Sequence, residues 1–209
     1  MELTTTSYAI LGLLAIKPWT TYELAQQMER SLNGFWPRAQ SRIYEEPKRL
    51  AALGLARAAN EMVGRRPRTV YSITAKGRRA LRSWLAEPGS GPQVECEALL
   101  KVFFSEQATA QQVRDNIAAL QEHAARANAA NVAFARLYRD TGGPFPERLP
   151  SILLIGKFLT DFADMVGRWA EWADGVVADW PDEASARSAP TEILDAVANR
   201  AVRAAPLPS

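Results

Sequence analysis

The chain has one cysteine, Cys96, and one histidine, His123, in 209 residues. A single thiol closes no internal disulfide, and these two groups are too few for a zinc site or a histidine-based catalytic pair. Long apolar runs are missing as well. Ala9 to Ile16, interrupted only by Gly12, and Ile152 to Ile155 are the longest, far short of the roughly 20 residues that a membrane span needs. Met1-Glu2-Leu3 carries no basic stretch, and no small-residue cleavage site follows the apolar run. No secretory signal and no membrane partner are expected, which places the chain in the cytoplasm. There is no G-x-S-x-G, P-loop or dinucleotide fingerprint, and the adjacent Glu45 and Glu46 lie on different faces of a helix, a poor arrangement for an acid/base dyad. Neither enzymatic activity nor a cofactor or metal is expected.

What is present is an ordinary globular composition with an uneven charge. Apolar residues make up 47% and charged residues 23%, which sets disorder aside. Residues 1–88 hold 14 Lys+Arg against 7 Asp+Glu, a balance of +7; residues 89–209 hold 11 against 16, a balance of −5, and the two sum to the net +2. A basic first part joined to an acidic second part suggests that only the first meets a polyanion. Pro88-Gly89-Ser90-Gly91-Pro92 marks the boundary, giving domains 1–88 and 93–209.

In the first part, Tyr8 to Ile16 is apolar nearly all round, which for a short helix means a central position. Lys17-Pro18-Trp19 breaks it, and Thr21 is placed to cap a second helix whose Leu24, Ala25 and Met28 share a face and which ends near Asn33-Gly34. A third helix is expected from Gln40 or Ser41 to Leu53, with Ile43, Leu50 and Leu53 inward. Gly54 stands where a left-handed residue closes a helix, and Leu50 and Leu55 have the spacing of a Schellman contact. Pro47, without an N–H, predicts a kink or a displaced first turn. Two strands, Ala56 to Met62 and Thr69 to Ile73, are joined by a turn in which Gly64 and Pro67 supply the chemistry. Thr74 then caps a fourth helix with Leu81, Trp84 and Leu85 inward.

A helix followed by a basic hairpin is the signature of a winged helix-turn-helix. The helix's N-terminal side chains would meet base edges in the major groove. Those are Gln40, Ser41, Arg42 and Tyr44, with Lys48 further along. Arginine suits guanine and glutamine suits adenine, whereas the Tyr44 hydroxyl suits a phosphate. Arg65, Arg66 and Arg68 at the hairpin tip would reach the adjacent backbone or minor groove. The alternative is a winged-helix module for protein or nonspecific nucleic-acid contact.

Ser41 to Leu55 and Arg68 to Leu81, with Tyr8 to Leu14 and Leu99 to Phe104, resemble the PadR family of bacterial transcriptional regulators. The resemblance covers roughly the first half of the chain. One departure is that many members place the proline directly after the tyrosine, where here it comes at Pro47. The resemblance implies dimeric DNA-binding proteins, usually repressors of an operator, whose helical second domain dimerises and in some members controls release.

In the second part, Thr109 and Gln112 form a capping box that opens a long helix. Val113, Ile117, Leu120, Ala124, Ala127, Asn131, Phe134 and Tyr138 fall at alternating spacings of four and three. After Gly142-Gly143-Pro144, Ile152, Ile155, Leu159, Phe162, Val166, Trp169, Ala173, Val176 and Trp180 repeat that alternation, which predicts an antiparallel hairpin of two helices of about 30 residues, ~45 Å each. The apolar stripes exceed what one hairpin covers, so homodimerisation is expected through Val113, Ile117, Leu120, Phe134, Leu159, Phe162 and Val166. Trp169 and Trp172 are candidates for a pocket that takes a small aromatic effector, against the plainer reading of packed aromatics. The expected architecture is mainly α: a winged helix-turn-helix with a small β-hairpin wing, then a long antiparallel helical dimerisation domain.

Overall fold

The computed structural model describes residues 2–37, 41–63, 66–183, 186–188 and 190–200, and the side chains of these except at 41, 42, 63, 66 and 67. The chain is mainly helical, with one small sheet, and divides into two compact units, Met1–Gln93 and Val94–Ser209.

In the first unit, α1 (Thr5–Ile16) is capped by Thr4 in a capping box with Ser7. Its Ile10 and Leu11 are wholly buried, as an all-round apolar helix requires. Trp19–Thr20 is not only a break but a two-residue strand, β1, paired with Tyr71 and Val70. The cap of α2 (Thr21–Ser31) is Thr20 and not Thr21: Thr20 accepts from the Glu23 N–H while the Glu23 carboxylate accepts from the Thr20 N–H at 2.7 Å. The position of Glu23, three residues after Thr20, decides between the two threonines. Thr20's hydrogen bonds hold the Glu23 carboxyl below the ordinary glutamate range, and the charges of Arg68 and Lys17 add to this.

Helix α3 (Ser41–Ala52) runs unbroken across Pro47, whose ring is fully buried, where the sequence predicts a kink or a displaced turn. Its end is a Schellman motif: Gly54 has φ +71°, Leu55 N–H donates to Leu50 C=O and Gly54 N–H to Ala51 C=O, both at 2.9 Å. Strands β2 (Ala56–Val63) and β3 (Arg66–Ile73) pair antiparallel, and β3 is central in the order β1, β3, β2. Pro67 thus belongs to a strand, opposite Met62, and not to the turn. Because β1 reaches only residues 70 and 71 of β3, residue 67 has a neighbour on one side alone, where proline is tolerated. Helix α4 (Ala75–Leu85) is capped by Thr74. Leu81 is half-buried, but Trp84 and Leu85 face outward, 38% and 65% exposed, and Trp84 stacks on Tyr8 with centroids 4.9 Å apart.

The second unit begins with α5 (Glu97–Phe103) and a 3₁₀ turn, Ser105–Gln107. Helices α6 (Ala110–Thr141) and α7 (Leu149–Ala178) follow, 32 and 30 residues long, and α6 opens on the Thr109–Gln112 capping box. They are antiparallel: Ala110 meets Asp182, Arg114 meets Asp174, and Asn128 meets Asp164. On α6 the buried Val113, Ile117, Ala124 and Tyr138 are seam positions read in the sequence, but on α7 the seam differs in phase. On α7 the buried residues are Ala163, Ala170, Ala173 and Val177, while Ile155, Phe162 and Trp172 are more than 40% exposed. Small side chains let the helices approach closely, so the alanines take the inner position. Arg187 ties the segment after α7 to the start of the hairpin, donating to the carbonyls of Ser105, Ala108, Pro181 and Asp182 while lying over the Trp180 ring. Helix α8 (Thr191–Ala198) is the last described element, and residues 201–209 lie outside the described part. Among the described residues no helix is long and apolar enough to cross a membrane, and no group of three or more potential metal ligands is found.

Candidate nucleic-acid interface

Helices α2 and α3 pack on each other, and α3 is held from beneath by its own apolar side. Ile43 is 3% exposed and Leu50 wholly buried, so the opposite face of α3 must point outward. A polar anchor fixes the rotation of the helix. The Ser7 hydroxyl, fully buried in α1, donates to the Glu46 carboxylate at 2.6 Å, and Arg49 donates to the same oxygen at 2.6 Å and to the Glu2 carbonyl at 2.9 Å. Half-buried charges of this kind are tolerated because each is matched. Glu46 and Arg49 are therefore positioning residues. Periodicity alone could not mark them, since the partner, Ser7, lies 39 residues upstream of Glu46.

On the outward face, Tyr44 is 43% exposed. Lys48 is exposed and pairs with Glu45 at 3.0 Å, a surface contact worth little and readily exchanged for a phosphate. The side chains of Ser41 and Arg42 and the whole of Gln40 lie outside the described residues. In the hairpin, Arg65 and the Arg66 side chain are likewise outside them. Arg68 is not at the tip: it lies in β3 directly opposite Glu61 and is paired with it at 3.1 Å. The strands run longer than predicted, which leaves the tip to the residues between Val63 and Arg66. On α2, Tyr22 is 63% exposed and takes a hydrogen bond from Gln26 at 2.8 Å, a polar aromatic on the outer surface that the sequence reading passed over.

The far end of α3 is joined to α4. Thr74 donates to the Gly54 carbonyl and Lys76 to that of Leu53, while Gly77 packs so closely that a Cβ there would collide with the Leu55 carbonyl oxygen. Glycine is the one residue that fits this crossing.

The residues expected to dimerise divide. Val113 and Ile117 are corrected: at 3% and 1% exposed they are spent inside the protomer against Ala170, Ala173 and Val177. Leu120, Leu159 and Val166 are half-buried, and Phe134 and Phe162 are exposed. With Phe162, the exposed Leu154, Phe158, Met165 and Trp172 form an apolar stripe along α7. Trp169 packs against the hairpin core and Trp172 stands at the surface; neither lines the cavity of about 490 Å³ that α5, the 3₁₀ turn and α6 enclose with Leu100, Phe104, Ala108 and Val113.

Residues 10–83 match the profile of the transcriptional regulator PadR-like family. The negative transcriptional regulator PadR of Bacillus subtilis is 31% identical over 99 residues, 46% of this chain and 54% of that protein. The chain spans about half the length of the curated relatives it matches. In three dimensions it resembles Bacillus subtilis PadR in complex with operator DNA, with a TM-score of 0.72 and 21% identity over 83% of this chain and 99% of that one. The same Bacillus protein in complex with p-coumaric acid gives a TM-score of 0.65 at 20% identity over 84% and 100% of the two chains. The profile match falls within the first unit, so the winged helix is the part of this chain that is similar to the PadR-like family of transcriptional regulators.

Proposed function

We propose that this chain is a sequence-specific DNA-binding regulator, a cytoplasmic homodimer that represses its target and is released by a small aromatic effector. The observation that carries the reading is α3: a helix gripped on one side by Leu50, Pro47 and the Ser7–Glu46–Arg49 anchor and open on the other, within a domain of balance +7. A helix so held presents a fixed set of side chains to a major groove. The apolar stripe of α7 supports a second copy, because contiguous exposed apolar surface of this kind marks an interaction site. Two-fold pairing would set two α3 helices at the groove repeat of about 34 Å. For the effector, the groove beside α5, lined by Leu100, Phe104, Ala108 and Val113, offers an apolar wall that the exposed Trp172 alone does not.

The test is competition between a promoter fragment and bulk DNA at two salt concentrations. A specific regulator keeps a large preference at the higher salt, while a nonspecific nucleic-acid module loses nearly all binding. Arg42→Ala should reduce discrimination by ~1–3 kcal/mol. Equal loss on all sequences would assign Arg42 to backbone positioning instead.

A further inference from the structure

Helix α4 carries Lys76, Arg78, Arg79 and Arg82 and no acidic residue at all. Lys76 is spent on the Leu53 carbonyl. The three arginines are exposed, and among the described residues none of their side chains has an ion pair, hydrogen bond or ring contact. This arrangement is locally unfavourable. Arg78 and Arg82 stand four apart and Arg79 and Arg82 three apart, spacings at which like charges repel. Arg78 and Arg79 also sit near the positive end of the helix dipole, where cations are disfavoured. Arg82 gains from its place in the last turn, but among the described residues no acidic side chain pairs with the three, and a surface that breaks local rules without a matching partner is where an external ligand is expected.

The position of α4 indicates which ligand. Its start is bound to the carbonyls of Leu53, Gly54 and Leu55, at the C-terminal end of α3. That end is about 18 Å, twelve residues at 1.5 Å, from the end of α3 that faces base edges. The α4 start therefore lies away from the base-reading end of α3, and the part of a duplex such a surface can meet is the sugar–phosphate backbone rather than base edges.

We infer that the Arg78–Arg79–Arg82 face of α4 is a second nucleic-acid contact, which grips the phosphate backbone of DNA flanking the core operator. The inference rests on the DNA-binding reading above and extends it to a surface that neither α3 nor the hairpin supplies. Guanidinium groups suit this role because they stay charged and bind phosphate through paired donors.

The test uses the full chain and two duplexes: one trimmed to the footprint-protected core, and one extended by about one helical turn, ~10 base pairs, on each side. The wild-type chain is expected to bind the longer duplex roughly tenfold more tightly, with a salt dependence steeper by about 0.9 per phosphate engaged. The triple variant R78Q/R79Q/R82Q should bind the core duplex as the wild type does and lose the whole gain on the longer one, and R78K/R79K/R82K should restore most of it. Two results overturn the inference: equal affinity of wild type for both duplexes, or a triple variant that retains the gain, which would leave the face to an acidic protein partner. A triple variant weakened equally on both duplexes, with unchanged thermal unfolding, also overturns it by moving the arginines into the core contact. Absence of any wild-type binding to either duplex would instead refute the underlying DNA-binding reading.

Discussion

The two units handle apolar surface in opposite ways. The first closes on a core of large aliphatic residues: Ile10, Leu11, Leu14, Leu24 and Leu50 are at most 2% exposed. The second buries mainly alanine and valine between its long helices and leaves Leu154, Phe158, Phe162, Met165 and Trp172 more than 40% exposed. Burial of apolar area drives both folding and association. A unit that closes on a core of large side chains is finished as a protomer, while one that leaves a stripe of them outside is finished only by a second surface. The contrast separates a module that recognises from one that assembles.

The strongest challenge to this contrast is Leu50→Ala. It empties the fully buried centre of the first unit and should cost about 4 kcal/mol, read as a lower denaturation midpoint for that unit; a loss under about 1 kcal/mol would show that the centre is not closed. The matching change in the second unit is Phe158→Asp with Phe162→Asp. Sedimentation should then show monomers, with helix content by circular dichroism unchanged, and dimers that persist would place the partner surface elsewhere. A smaller effect is expected at Ala170, wholly buried at the inner seam. Ala170→Leu should cost ~1–3 kcal/mol through overpacking, whereas the same change on a large-residue seam would be neutral.

The smallest effect tests the cap of α2. Thr20→Ala should cost about 1 kcal/mol at neutral pH. The Glu23 carboxyl is held below its ordinary value in the folded chain, chiefly by hydrogen bonds from Thr20. A group lowered in this way stabilises above its unfolded pKa, and the contribution disappears as pH falls through the folded one. The difference between wild type and variant should therefore shrink in acid, and denaturation curves whose separation does not change with pH would remove Glu23 from the account.

Much of this was legible in the residues themselves. Leu50, Gly54 and Leu55 announce the end of α3 because the Schellman motif is local, and Thr109 with Gln112 announces the start of α6 for the same reason. The phase of the α6 seam was legible too, since its buried Val113, Ile117, Ala124 and Tyr138 are positions of the expected seam, whereas the phase of α7 was not. Two stripes on α7 repeat at nearly the same period, one of large residues and one centred on Ala163, Ala170 and Val177, and spacing alone does not say which faces inward. Trp84 was assigned to the interior because it is apolar, yet it stacks on Tyr8 at the surface, a contact across 76 residues of chain. Gly77 gave no signal either, since its role depends on a carbonyl brought close by the fold.

The knot of contacts around Leu55 has one more consequence. With the Leu53–Leu55 turn that joins α3 to β2 fastened to the start of α4 at Thr74, Lys76 and Gly77, the helix and the strand it leads into cannot pivot freely against α4. On the proposed DNA-binding reading, a duplex of unsuitable groove width would not be met by tilting the helix, and the mismatch would be absorbed by bending the DNA. Stiffness in the protein would thereby become a preference for easily deformed sequences, including base pairs that no side chain touches.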